Sequence, residues 1–165
     1  MSSKVLYHTK FLDFKQTPGG WVYAHRPNAK DVAGVIPVIH SKDGDYIILL
    51  ETERPPVKAE GKADRCIELP AGLVGDDNNE ESTEEAIKRE LREETGYIAD
   101  SITIVVQNCA SSPGCVSETS TIAIADITND TPEKDIETDN GVIQAVHKIP
   151  LNNLMSWLTE QQKQG

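Results

Sequence analysis

The order of elements in this 165-residue chain predicts an α+β fold, an α/β/α sandwich with a mixed β-sheet between helices and an N-terminal β-hairpin. Three observations carry that expectation. β-rich runs lie on both sides of one central helical segment. A second helical pattern closes the chain. A content of 38% hydrophobic and 26% charged residues suits one domain, here residues 1–165, with a sizeable core.

Residues 4–15 and 20–26 alternate apolar and polar around Pro18-Gly19-Gly20, which reads as strand, turn, strand. AGVIPVIH (33–40) and YIILLE (46–51) are nearly continuous apolar runs, as expected of strands buried on both faces, and Asp43-Gly44 between them is a hairpin turn. Arg54-Pro55-Pro56 ends the second run, because proline cannot donate to a ladder. Cys66 to Pro70 is a short strand leading through the turn Ala71-Gly72 into the central helix. Beyond that helix, 102–107, 121–127 and 141–149 read as strands, with loops at 110–118 and 126–140. Leu151, Leu154, Met155 and Leu158 have helical spacing and are expected to pack on the core.

The central helix holds the chemistry. Ser82 and Glu85 form a capping box, and Gly96 is a natural stop. At about 100° per residue, Glu90, Glu93 and Glu94 share one face with Ala86, edged by Ile87 and Leu91. Like charges at i, i+3 and i+4 weaken a helix, so something must compensate. A hard cation such as Mg²⁺ or Mn²⁺ would, since it prefers oxygen ligands and is commonly shared with substrate phosphates. A solvated acidic face is the bland alternative.

Spacing decides between them. Gly75, Glu81, Arg89-Glu90-Leu91, Glu93-Glu94 and Gly96-Tyr97 match position by position the Nudix box, and the chain is identified as resembling the Nudix hydrolases. Gly72, in the Pro-Ala-Gly that precedes the box, competes with Gly75 for the role of box glycine. The resemblance implies metal-assisted hydrolysis of a nucleoside diphosphate linked to another group. It makes Glu90 and Glu94 the principal metal ligands, with Glu93 assisting and the Ala71 carbonyl as a further ligand. Arg89 would orient the glutamates, and Glu81 would fix the loop or pair with Arg89.

Residues outside the box resemble the ADP-ribose pyrophosphatase branch. Arg54, before Pro55-Pro56, matches an arginine that contacts the diphosphate. Pro113 and the loop SSPGCVSETS resemble a loop whose glutamate activates the attacking water, which nominates Glu118. Trp21 and Arg26 match an adenine-stacking tryptophan and a phosphate-binding arginine, although Trp21 could equally be a core or dimer contact. Val22 stands where some relatives carry an acidic residue that reads adenine, so another nucleotide sugar or a dinucleotide is the second enzyme reading. A non-catalytic nucleotide sensor is the rival from another class, and the complete set of box carboxylates argues against it. The branch also implies a homodimer in which N-terminal strands cross between subunits.

The net charge of −11 is concentrated between residues 76 and 94 and argues against nucleic acid as a partner. MSSKVLYHTKF has no apolar targeting core, and no apolar run is long enough to span a bilayer, so a cytoplasmic protein is expected. Cys66, Cys109 and Cys115 lack zinc or disulfide spacing and are expected to be free thiols.

Overall fold

The computed structural model describes residues 2–75, 80–133 and 142–164. Among the described residues there are two sheets, a three-stranded N-terminal sheet and a seven-stranded main sheet. The first is built from β1 (Lys4–His8), β2 (Asp13–Gln16) and β3 (Val22–His25), all antiparallel. It carries one strand more than the expected hairpin, because Thr9 breaks the run 4–15. The Thr9 hydroxyl accepts the Phe11 and Leu12 amide N–H groups at 3.2 and 2.8 Å, a local bond that competes with strand pairing. The second turn falls at Pro18-Gly19-Gly20 as expected, with Gly20 at φ 89°.

The main sheet is organised around β4 (Val32–Ser41). It pairs parallel with β9 (Thr119–Ile127) on one side and antiparallel with β5 (Gly44–Thr52) and β7 (Ala71–Leu73) on the other, which makes the sheet mixed. β5 also pairs with β6 (Cys66–Glu68) and β10 (Ile143–Pro150), and β8 (Ser101–Ala110) forms the far edge beside β9. Two local expectations are corrected. Ala71-Gly72 is a strand rather than a turn, because its backbone completes the ladder of β4. Pro55-Pro56 not only ends β5 but opens a short helix, α1 (Pro55–Ala59), where prolines at the first positions lose no helical hydrogen bond. Of the expected loop 126–140, Asp126 and Ile127 belong to β9 and 134–140 lies outside the described residues, as do Gly141 and box positions 76–79.

Helices cover both faces. On one, Ala86, Ile87 and Leu91 of α2 (Thr83–Thr95) meet Ala33, Val35, Ile39, Ile48, Ala123, Ala125 and Ile127. On the other, Leu154, Trp157 and Leu158 of α3 (Leu154–Gln164) pack on Ile47, Leu49 and Ile149. Odd and even residues of β4 and β5 thus serve different helices, which explains their uninterrupted apolar runs. The terminal stripe is only half right: Leu151 and Met155 are exposed, and Trp157 takes the packing role. Among the described residues no helix is long and apolar enough to cross a membrane. All three cysteines are free.

Away from the helices, His40 joins three strands: its Nδ1 meets Asp45 at 3.0 Å and its Nε2 meets Asp126 at 2.9 Å. The Asp126 hydrogen bond, helped by Asp45, raises the His40 pKa above its ordinary 6.5, and the same bond lowers that of Asp126 below 3.8. A raised folded pKa gives stability that is fully present below 6.5 and is lost as pH climbs through the folded value. The Asp126 contribution is lost at the other end, as pH falls below 3.8. His40→Ala is therefore expected to destabilise more at about pH 5 than at alkaline pH, where the imidazole is neutral, read as the difference in urea midpoint from wild type. A difference independent of pH would contradict the pairing.

Candidate active site

The site is assembled where β7 runs beneath α2. Ser82 caps that helix as its sequence predicts: its hydroxyl accepts the Glu85 N–H, while the Glu85 carboxylate accepts the Ser82 N–H at 2.8 Å. Gly96 closes the other end at φ 74°. Helical spacing then turns Arg89, Glu90, Glu93 and Glu94 toward the backbone of 71–75.

Arg89 is the centre of this arrangement. Its Nε and Nη2 donate to the two carboxylate oxygens of Glu81 at 2.8 and 3.1 Å, Nη1 donates to Glu90 at 2.7 Å and Glu93 at 3.2 Å, and Nη2 also reaches the Leu73 carbonyl at 3.1 Å. The Glu81 bonds above all push the Arg89 pKa up, and the Arg89 bonds hold Glu81 below the usual carboxylate range. Glu81 also accepts the Gly75 N–H at 3.0 Å, so it both fixes the loop and pairs with the arginine.

Glu90 shows the opposite shift: burial pushes its pKa up, and Arg89 pulls against that. Its carboxylate lies against Gly72, where a Cβ would fall 1.8 Å from Oε1, so no side chain fits at position 72 while Glu90 keeps its place. Gly75 is needed for another reason, its φ of 87°. Two glycines therefore divide the tasks for which they competed in the sequence. Glu94 accepts the Ala71 N–H at 2.9 Å, tying a second glutamate to β7.

Arg54, at the end of β5, is gripped by Glu68, which accepts from Nε at 3.0 Å and from Nη2 at 2.6 Å. This bidentate bond raises the Arg54 pKa, and the charge of Glu94 adds weakly in the same direction. Glu68 escaped the sequence reading, although it lies in the expected strand Cys66 to Pro70; nothing in spacing alone marks a carboxylate as an arginine's partner.

The remaining sequence-predicted residues form a second group. Arg26 donates through Nε to Glu118 at 2.9 Å, and the Trp21 indole N–H donates to the Gly114 carbonyl at 2.8 Å. Pro113 lies exposed in the same loop between β8 and β9. Asp31 links the two groups: its carbonyl accepts the Val74 N–H, and its carboxylate accepts the hydroxyls of Thr119 and Thr121 at 2.9 and 2.6 Å. Val32 pairs with Leu73 on one side and Ser120 on the other. With strands about 4.8 Å apart, the backbone leading to Glu118 starts roughly 10 Å from the backbone under Arg89.

Whether a divalent cation suits this site can be judged from its donors. They are hard oxygens only, from Glu90, Glu93, Glu94 and the Ala71 backbone, and the glycine at 72 lets one carboxylate press against the main chain. That is the chemistry Mg²⁺ or Mn²⁺ requires. Among the described residues no three acidic, histidine or cysteine side chains already converge as a metal cluster; Arg89 and the Ala71 N–H hold the glutamates instead.

The fold and donor set define a class: an α/β/α sandwich presenting an oxygen-only face beside two arginines. This chain belongs to the NUDIX family, whose domain model matches residues 29–164. It is 33% identical over 141 residues to an uncharacterized Nudix hydrolase of Schizosaccharomyces pombe (82% of this chain, 63% of that protein). It is 32% identical over 134 residues to the ADP-sugar pyrophosphatase of Mus musculus (78% and 56%). Against the ADP-ribose pyrophosphatase of Saccharomyces cerevisiae it is 42% identical over 69 residues (41% and 26%). The chain thus spans less than two thirds of each of these relatives. A solved ADP compounds hydrolase superposes with a TM-score of 0.65 at 20% identity, covering 96% of this chain and 81% of that one, a likeness of fold.

The Arg89 web yields a direct test. Glu81→Gln keeps the shape but removes the charge that binds Nε and Nη2, and is expected to lower unfolding free energy by about 2 kcal/mol, the usual size for a charge-assisted hydrogen bond. Urea unfolding at neutral pH measures it; wild-type stability would show that the web contributes nothing net.

Proposed function

We propose that this chain is a divalent-metal-dependent hydrolase of ADP-ribose or a related nucleoside diphosphate sugar, releasing AMP and, from ADP-ribose, ribose 5-phosphate. The observation that carries this reading is the oxygen-only carboxylate face of α2 pressed against Gly72 and Ala71. The yeast and mouse relatives, named for ADP-ribose and ADP-sugars, support the choice of substrate. In this reading the N-terminal sheet, which precedes the matched residues 29–164, belongs to the same catalytic unit.

Glu90 and Glu94, assisted by Glu93 and the Ala71 carbonyl, would hold Mg²⁺ or Mn²⁺. Such an ion, when bound, neutralises diphosphate charge and acidifies the attacking water. Arg54 and Arg26 add positive charge where the diphosphate lies, and the exposed Trp21 ring offers a face to the base. Glu118 takes a proton from the water as its oxygen bonds to phosphorus. The bond from that phosphorus to the bridging oxygen breaks, and the bridging oxygen leaves with the other phosphate. Arg89 keeps the glutamates in register and does not touch substrate.

A second substrate class, another nucleotide sugar or a dinucleotide, is favoured by one observation: Val22, beside Trp21, offers no hydrogen bond to an adenine edge. Hydrolysis of ADP-ribose beside UDP-glucose, GDP-mannose, NADH and diadenosine polyphosphates, with Mg²⁺, Mn²⁺ or chelator, separates the two. Metal-dependent preference for ADP-ribose with AMP as product is expected. Glu94→Gln should lower turnover at least ~100-fold without changing the circular dichroism spectrum. Glu118→Gln should lower kcat by ~100-fold or more while leaving KM nearly unchanged; an unchanged rate would move the base to a box glutamate.

The same reading includes a homodimer. Tyr7 and Phe14 of the N-terminal sheet, Phe11 in its first turn, and Ile104, Val105 and Val106 of β8 are exposed large apolar side chains that a second copy of the chain could cover. Light scattering is expected to give twice the 18.1 kDa chain mass. Phe14→Asp combined with Val105→Asp should give the monomer, and a monomeric wild type would refute the interface.

A further inference from the structure

We propose that β3 and the residues flanking it form the rail that sets Glu118, and that Trp21 is a positioning residue acting through its indole N–H. This rests on the reading of Glu118 as the water-activating carboxylate, and it adds a task for Trp21 distinct from contact with a base.

The residues that meet do so in order. The Trp21 Nε1–H donates to the Gly114 carbonyl at 2.8 Å, and the Ala24 N–H donates to the Cys115 carbonyl at 2.8 Å. The Ala24 carbonyl accepts the Ser117 N–H at 3.1 Å, and His25 Nδ1 lies 2.9 Å from Ser117 Oγ. Arg26 then meets Glu118. Residue numbers rise together on both segments, so this is a short parallel pairing, with Ala24 opposite Val116. Sliding the loop by one residue would break every bond at once. At its far end the loop is pinned by the Thr119 and Thr121 hydroxyls on Asp31.

Between these two anchors the loop has little of its own to hold it. No residue from 111 to 118 is buried, so apolar packing does not fix its conformation. Its internal backbone bonds amount to one turn, the N–H groups of Cys115 and Val116 on the Ser112 carbonyl at 3.0 Å. The orientation of Glu118 therefore depends on the N-terminal sheet as well as on the start of β9.

Trp21 itself points the same way. The residue is 63% exposed, which excludes a core role, yet the one polar atom of its side chain is engaged by the loop. A tryptophan present only as a stacking face would need no such bond; phenylalanine or tyrosine would serve. Reaction geometry is sensitive at this scale, since a displacement of about 1 Å can cost ~100-fold in rate.

Trp21→Phe removes the N–H and keeps a ring, and Ser117→Ala removes the contact with His25. Each is expected to lower kcat for ADP-ribose roughly three- to tenfold, the usual worth of one hydrogen bond, with KM held within about twofold. Amide exchange of peptides spanning 112–118 should quicken in both, and Ser117→Thr, which keeps a hydroxyl, should restore both readings. In a Glu118→Gln background neither change should slow turnover further, because a carboxylate that is absent cannot be misplaced.

Wild-type kcat and exchange in Trp21→Phe and Ser117→Ala, while Glu118→Gln is slow, would overturn this inference and spare the proposed mechanism. So would a rise in KM alone, which would leave Trp21 as a stacking face, or losses that multiply with that of Glu118→Gln. If Glu118→Gln turns over at the wild-type rate, the assignment of the base fails first and the positioning role falls with it.

Discussion

Three carboxylates crowded around one guanidinium, with a fourth beside them on the same helix face, set the terms for the rest of this structure. Glu81, Glu90 and Glu93 all bond Arg89, and Glu94 lies on the same helix face, held by the Ala71 N–H. Left alone, the helix glutamates would repel one another across a turn of α2. The guanidinium offsets that repulsion with a planar fork of donors, a task that the point charge of lysine could not perform with the same geometry. The arrangement also dictates the backbone beneath it. The Leu73 carbonyl must face Arg89, the Gly75 N–H must face Glu81, and position 72 must lack a side chain so that Glu90 can lie against the chain.

β4 converts this local cluster into a site. Its first residues pair with β7 on one side and β9 on the other, so the strand beneath the glutamates and the strand that follows Glu118 are held at the same end of the sheet. Asp31, just before β4, bonds both neighbours. The buried alternation of β4 and β5 against two different helices makes that register costly to change, because a shift of one residue would exchange the side chains of the two faces. Rigid sheet packing thus fixes the relative placement of groups that lie far apart in sequence.

What could be read from the sequence follows the range of the interactions. The helix, both of its caps and the shared face of its glutamates come from spacings of three and four residues, and all are where the sequence places them. The apolar runs of β4 and β5 likewise declared a sheet covered on both sides. The break at Thr9 was missed because a threonine hydroxyl competing for local amides leaves no glycine or proline to mark it. β7 was missed because three residues are too few to show a period, and only the ladder of β4 makes them a strand. Glu68 and Asp31 were invisible for a third reason: each acquires its role from a partner that folding brings to it, fourteen residues away in the case of Glu68 and nearly ninety for Asp31.

The same distinction separates the two halves of the proposed chemistry. The carboxylates proposed to hold the cation sit on one helix, so their geometry depends on that helix being capped and its arginine being present. The proposed substrate contacts would come from the end of β5, from β3 and its flanks and from the loop before β9, and these meet only through the sheet and the N-terminal docking. An altered turn or a changed residue such as Val22 can therefore redirect substrate choice without disturbing the glutamates. About one-third identity to relatives is then compatible with retention of the carboxylate face together with divergence in the group attached to the diphosphate. On this argument the N-terminal sheet is the element through which this chain would set its substrate choice, because it would both present a face to the base and hold the loop that carries the proposed proton acceptor.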